Sequence, residues 1–303
     1  MVHTVNDTPV CAEQRPPLTR ADLKADKPTW CPGCGDFSVL AIYQKLLEKK
    51  NLPQESIVTL SGIGCSSRFP YFVNTHSVHF IHGRILPFAT GLSLSRPDLH
   101  PIVFIGDGDA YSIGGNHFDH CARKNVRLMV VVMDNQVYGL TKKQTSPTSP
   151  VGFKSKTDPW GSKVTPINPT KKLISSGATF VARTAASNPN HMLEMMEAAL
   201  DHDGFSVVEC FSECVQFNPG SFDAAVPRKG GAYPPVPEDH DVTNEEAAYA
   251  LTREPFPGHF GIYFKVDRPT LNETEGGLAE SPTSDTALKD VRQQLEASLR
   301  QLT

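Results

Sequence analysis

No stretch of this 303-residue chain approaches the ~20 consecutive apolar residues of a membrane-spanning helix. The leading residues, Met1 to Lys27, are polar and proline-containing and lack the apolar core of a signal peptide. Basic charge is not in excess: the formal net charge is -4, so nothing marks nucleic acid as a partner. Seven cysteines, an odd number without regular pairing, do not make a disulfide framework. These absences point to a soluble, cytoplasmic protein with neither membrane nor nucleic acid as partner. There is no internal repeat and no low-complexity tract. A second C-x-x-C is also missing. Cys31-Pro32-Gly33-Cys34 alone suits a zinc knuckle, a redox dithiol or a cluster site, but a zinc ribbon needs two such turns.

What the chain does have is alternation. Apolar strand signals at Ile57 to Leu60, Val78 to Ile81, Ile102 to Ile105, Leu128 to Met133, Thr179 to Ala182 and Phe205 to Cys210 are separated by helical stretches. Among these are Ser38 to Lys50, Ile113 to Lys124 and His191 to His202. Continuous apolar runs separated by helices predict an α/β fold, doubly wound around a mostly parallel sheet. We expect residues 1–27 to be an N-terminal arm, 28–225 the main domain, and 226–303 a C-terminal extension packing on the core or on a partner subunit. Thr145 to Pro169, rich in Pro, Ser, Thr and Lys, reads as a long loop. In the extension, Gly261 to Val266 suits a short strand. Leu288, Val291, Leu295, Leu299 and Leu302 recur at helical spacing.

Two strand exits carry chemistry. Asp107 lies in the turn Gly106-Asp107-Gly108 after one apolar run, and Asn135 follows another, 28 positions later (135 minus 107). Ligands of such sheets sit beyond the carboxyl ends of the strands. Two oxygen donors there, beside glycine, make a seat for Mg²⁺ carrying a diphosphate. The start of the helix between them, Ile113-Gly114-Gly115-Asn116, offers free N-H groups to a phosphate.

The longer stretches 106–120 (Gly-Asp-Gly-Asp-Ala-Tyr-Ser-Ile-Gly-Gly-Asn-His-Phe-Asp-His) and 134–148 (Asp-Asn-Gln-Val-Tyr-Gly-Leu-Thr-Lys-Lys-Gln-Thr-Ser-Pro-Thr) resemble the thiamine-diphosphate-binding beta subunit of 2-oxoacid:ferredoxin oxidoreductases. The resemblance runs from about Trp30 to Asn218 and implies the diphosphate-binding domain of the thiamine-diphosphate fold. It implies that Asp107, Asn135 and the Val137 carbonyl hold Mg²⁺. Gly106, Gly108, Asn116, His117, Gly139 and Leu140 would line the cofactor site. It also implies one 4Fe-4S cluster on Cys31, Cys34, Cys65 and Cys214, with Cys210, at the end of an apolar strand, as the rival fourth ligand. Cys11 and Cys121 are read as bystanders.

The activity so implied is conversion of a 2-oxoacid, CoA and oxidised ferredoxin to acyl-CoA, CO2 and reduced ferredoxin. It proceeds through thiamine diphosphate addition, decarboxylation and one-electron oxidations through the cluster. It is reversible, so it can serve carbon fixation in a reductive tricarboxylic acid cycle. Arg68 and Lys142 border the expected cofactor. A cation at Lys142, where pyruvate-selective relatives tend to have glycine, favours a second carboxylate and hence 2-oxoglutarate and succinyl-CoA. Pyruvate or broad specificity is the alternative. The glutamate that activates the cofactor is expected from an alpha subunit carrying the pyrimidine-binding domain. That subunit would also bind most of the CoA, in an (alpha-beta)2 assembly served by ferredoxin. Competing readings are a non-redox thiamine-dependent enzyme and a non-catalytic zinc-binding interaction module.

Overall fold

A computed structural model of the chain describes residues 15–274. The leucine-spaced segment from Leu288 to Leu302 and Cys11 lie outside the described residues. The ordered elements are α1 (Asp36–Lys50), β1 (Ile57–Ser61), β2 (His76–His79), α2 (Ile85–Ser95), β3 (His100–Gly106), α3 (Gly115–Lys124) and β4 (Leu128–Asp134). They continue with α4 (Pro169–Ser175), β5 (Phe180–Ala185), α5 (Pro189–Leu200), β6 (Phe205–Phe211), α6 (Glu245–Leu251), β7 (Gly261–Lys265) and α7 (Leu271–Thr274).

The strands form one seven-stranded sheet in the order β2-β1-β3-β4-β6-β5-β7. Every pair among β1 to β6 is parallel. Strand β4, Leu-Met-Val-Val-Val-Met-Asp, is buried at every position, because helices cover both faces of a parallel sheet and leave no polar side. On one face α1 and α5 pack Tyr43, Leu46, Met192 and Met196 over Phe104 and Met133. On the other, α2, α3 and α4 pack Ile85, Phe118 and Leu173 over Val103 and Val130. Asn168 and Asn188, each followed by proline, cap α4 and α5 through side-chain oxygens.

Two elements differ from the sequence pattern. The second strand is His76–His79 rather than Val78 to Ile81. It is a short, half-exposed edge strand, so burial did not mark it with apolar residues. The crossover helix does not wait for Ile113: helical backbone begins at Asp107, directly off β3, and passes through a wide turn over Asp109–Ile113 before α3. Strand β7, from the stretch after residue 225, pairs antiparallel with β5 and closes that edge of the sheet. Among the described residues, no helix is long and apolar enough to cross a membrane.

Candidate functional site

The chain order reverses between β1 and β3, which opens a crevice at the carboxyl ends of the central strands. Asp107 sits there, buried, as the first helical residue after β3. Its Oδ2 accepts the Ser146 hydroxyl at 2.5 Å and the Thr148 hydroxyl at 2.7 Å. The Thr148 oxygen is also 2.8 Å from Oδ1 of Asp134, the last residue of β4. One hydroxyl proton cannot serve two carboxylates. The second contact therefore needs a proton on Asp134, the direction in which burial, Asp107 and Glu209 push that carboxyl, well above its usual range. Burial raises Asp107 as well, against the pull of Ser146 and Thr148.

Asn135 follows in a tight turn. Its Oδ1 accepts the Val137 N-H at 3.1 Å, and its carbonyl accepts the Asn218 amide at 3.1 Å. Gln136, at φ 57°, takes the left-handed conformation that brings Asn135 and Val137 into one turn. Asp107, Asn135 and Val137 thus stand at adjacent strand ends.

The charge balance tests whether a cation belongs here. Asp107 and Glu209 are both buried, beside the protonated Asp134. The described ion pairs place a cation on only one of them, Arg183 on Glu209 at 2.8 Å. A divalent ion held by Asp107, the Asn135 amide and a backbone carbonyl would supply the missing positive charge with the oxygen donors that Mg²⁺ prefers. The residues fit it. The start of α3 is open, since a Cβ at Gly115 would meet nothing within 4 Å, Asn116 is exposed and His117 half-buried, but the Gly114 and His117 N-H groups are already bonded to the Asp109 and Gly114 carbonyls.

Gly108 has a different neighbour from the one expected. A Cβ there would come within 2.3 Å of the Tyr138 ring, and the Tyr138 hydroxyl donates to the Gly108 carbonyl at 3.0 Å. The glycine admits a tyrosine. Asp109, which sequence reasoning passed over, ties the crevice together. Its carboxylate accepts from the Ile63 N-H at 2.9 Å, from the Gly83 N-H and from the His82 ring. A Cβ on Gly62 would collide with it. Ser146, Thr148 and Asp134 were missed too. The only signal of Asp134 was polarity at a strand end, and Ser146 and Thr148 lay in a long polar loop.

The thiols converge from three segments. The Trp30 indole donates to the Cys65 carbonyl at 2.7 Å, and Gly35 N-H donates to the Glu213 carbonyl at 3.3 Å. Gly35 can approach because it has no Cβ, which would lie 2.6 Å from the Ser212 hydroxyl. A Cβ on Gly139 would be 3.4 Å from the Cys214 sulfur and 3.8 Å from that of Cys65. Burial raises Cys34, Cys65 and Cys214, Cys65 to about 11; Cys34 also feels Cys214 and Cys65, and Cys65 feels Cys214 and Cys31. Cys31 is exposed at the rim. Among the described residues no three His, Cys, Asp or Glu side chains surround a single ion-sized point, so as placed these thiols do not form a tetrahedral zinc site. A larger cluster, bridged by its own sulfides, suits thiols gathered around one edge without meeting at a point. Cys210 is fully buried, with its thiol on Met192. Cys121 is buried beside Thr90.

Lys142 is exposed, with its ammonium 5.9 Å over the Phe217 ring, and half-buried Arg68 lies 5.9 Å over Phe72. Neither forms an ion pair among the described residues. Lys142 and Lys143 are both left-handed, at φ 71°, held by N-H bonds to the Gly139 and Tyr138 carbonyls. Leu140 is exposed in the same turn.

Residues 62–210 match the family described as thiamine pyrophosphate enzyme, C-terminal TPP binding domain. The 2-oxoglutarate synthase subunit KorB of Archaeoglobus fulgidus is 44% identical over 185 residues, 61% of this chain and 69% of that subunit. A solved 2-oxoglutarate:ferredoxin oxidoreductase from Magnetococcus marinus, with 2-oxoglutarate, coenzyme A and succinyl-CoA bound, superposes with a TM-score of 0.83 at 37% identity. It covers 92% of this chain and 97% of the matched one. The chain belongs to the 2-oxoacid:ferredoxin oxidoreductase beta subunits. Another beta subunit, the 2-oxoglutarate oxidoreductase subunit KorB of Mycobacterium tuberculosis, is 47% identical over 217 residues, 71% of this chain. The match spans 58% of that longer relative. Membership in this beta-subunit family weighs against the zinc-module and non-redox readings.

Proposed function

We propose that this chain is the beta subunit of a 2-oxoglutarate:ferredoxin oxidoreductase that forms succinyl-CoA. Bound thiamine diphosphate would supply an electron sink that lets the bond between a keto carbon and its carboxylate break. Asp107, Asn135 and the Val137 carbonyl would hold Mg²⁺, with Ser146 and Thr148 fixing the second oxygen of Asp107. Gly106 lines the strand exit, Gly108 admits Tyr138 beside it, and Gly115, Asn116 and His117 present the start of α3. Cys31, Cys34, Cys65 and Cys214 would hold a 4Fe-4S cluster, which would supply one-electron transfer toward ferredoxin. An alpha subunit completes the site and binds most of the CoA, in an (alpha-beta)2 assembly. The division into arm (1–27), domain (28–225) and extension (226–303) belongs to this reading.

One observation carries it. The turn that leaves Asn135 and Val137 crosses the sulfurs of Cys65 and Cys214 at Gly139. A diphosphate seat and a thiol cluster thus share one turn, an arrangement suited to draining electrons from a cofactor. For substrate, Lys142 is the informative residue. It holds a backbone conformation that glycine adopts freely and that costs other residues about 1 kcal/mol or more. A lysine kept there against that cost supports a role for its ammonium, with Arg68, in binding the distal carboxylate of 2-oxoglutarate. The test is CoA-dependent ferredoxin reduction by the anaerobically purified complex with 2-oxoglutarate and with pyruvate. Preference for 2-oxoglutarate is expected; preference for pyruvate removes the substrate assignment, and no reduction with either removes the enzyme class.

A further inference from the structure

Asp36 follows the second cysteine of Cys-Pro-Gly-Cys-Gly and opens α1. It is 1% exposed. Ser212 donates to its Oδ1 at 2.6 Å, while Oδ2 has no hydrogen-bond partner. The carboxylate bears electrostatically on Cys34, Cys65 and Cys214, and the Asp36 N-H faces the Cys34 sulfur. Joining the cysteine turn to the exit of β6 does not require a charge. An asparagine would accept the same Ser212 hydrogen bond and fill nearly the same space. A carboxylate oxygen left without a donor in a dry place is costly, and the link to Ser212 does not offset that cost.

We propose that Asp36 is a tuning residue that lowers the reduction potential of the cluster held by Cys31, Cys34, Cys65 and Cys214. The proposal rests on the cluster reading given above. An iron-sulfur centre on four thiolates is already anionic, and reduction adds one more negative charge. A fixed carboxylate alongside disfavours that added charge, and net local charge is among the determinants of such potentials. With Cys34 ligating iron as a thiolate, its sulfur no longer donates to Asp36, and no other donor spreads or neutralises the charge on Oδ2. A lower potential makes the centre a stronger reductant toward a low-potential carrier such as ferredoxin.

The experiment is a redox titration followed by electron paramagnetic resonance, on wild-type and Asp36→Asn complexes purified anaerobically, at a single alkaline pH. At the poise where the wild-type centre is half reduced, the variant is expected to show a reduced-to-oxidised ratio higher by about tenfold or more, which for one electron is about 59 mV. A variant that keeps its iron and titrates at the wild-type potential, or below it, overturns the proposal. If the Asn variant loses iron, Asp36→Ser, which also removes the charge, is titrated instead. Loss of iron from both makes Asp36 a purely structural residue and equally overturns it. Failure of the underlying cluster reading looks different, since the wild-type complex would then contain no iron.

Discussion

Thr148→Val keeps the shape of a buried side chain and removes one hydroxyl. In the native protein that oxygen lies 2.7 Å from Asp107 Oδ2 and 2.8 Å from Asp134 Oδ1, both buried, so water cannot take its place. A hydrogen bond to a charged group contributes about 1.5–3 kcal/mol. With metal bound, Asp107 must give one oxygen to the ion while the other is held in place; without metal the carboxyl can turn. The loss therefore falls mainly on the loaded state, and at 1.4 kcal/mol per tenfold the Mg²⁺ affinity should drop by about 10- to 140-fold. That agrees with the ~10–100-fold cost of removing groups that orient metal ligands. The assay is a Mg²⁺ titration at saturating thiamine diphosphate, on complex stripped of both, followed by circular dichroism. Thr148→Ser should restore most of the affinity. A Val variant with native Tm and the wild-type Mg²⁺ midpoint would refute the argument.

Lys142→Gly should relieve the left-handed strain at φ 71° while raising the KM for 2-oxoglutarate at least tenfold and leaving pyruvate turnover little changed; equal effects on both substrates would remove the carboxylate role. Glu209→Gln leaves the buried Arg183 guanidinium without its anion and should destabilise the fold by about 3–5 kcal/mol, read by urea denaturation, whereas an exposed pair such as Arg96 with Asp98 should matter little. The hydrogen bond to Asp109 raises the His82 pKa above its ordinary value, outweighing burial. Its contribution to stability is therefore fully present below the ordinary histidine pKa and fades as pH rises through the folded one. His82→Gln should remove that part of the pH slope, and an identical slope in the variant would count against the pairing.

The strand ends proposed to seat the metal were readable in the chain because local rules place them: Asp107 and Asn135 each end an apolar run, and a parallel sheet puts such ends on one rim. The central strands were legible for the same reason, since burial on both faces writes an uninterrupted apolar run. The edge strand His76–His79 was not, because half-exposed residues carry no such mark. Partners joined by long-range contacts were also invisible. Ser146 and Thr148 look like any polar loop until the chain folds back to place them on Asp107, 39 and 41 residues away. Asp36 meets Ser212 across 176 residues.

By itself, then, the sequence determined the fold class, the strand ends that offer oxygen donors and the cysteines available for a cluster, because periodicity and turn chemistry are local. Only the tertiary structure decided which cysteines share an edge, that Gly108 admits Tyr138, and that Gly139 brings the Asn135 turn onto two sulfurs. Those outcomes depend on how closely distant backbones approach, and that distance is set by packing across the whole sheet.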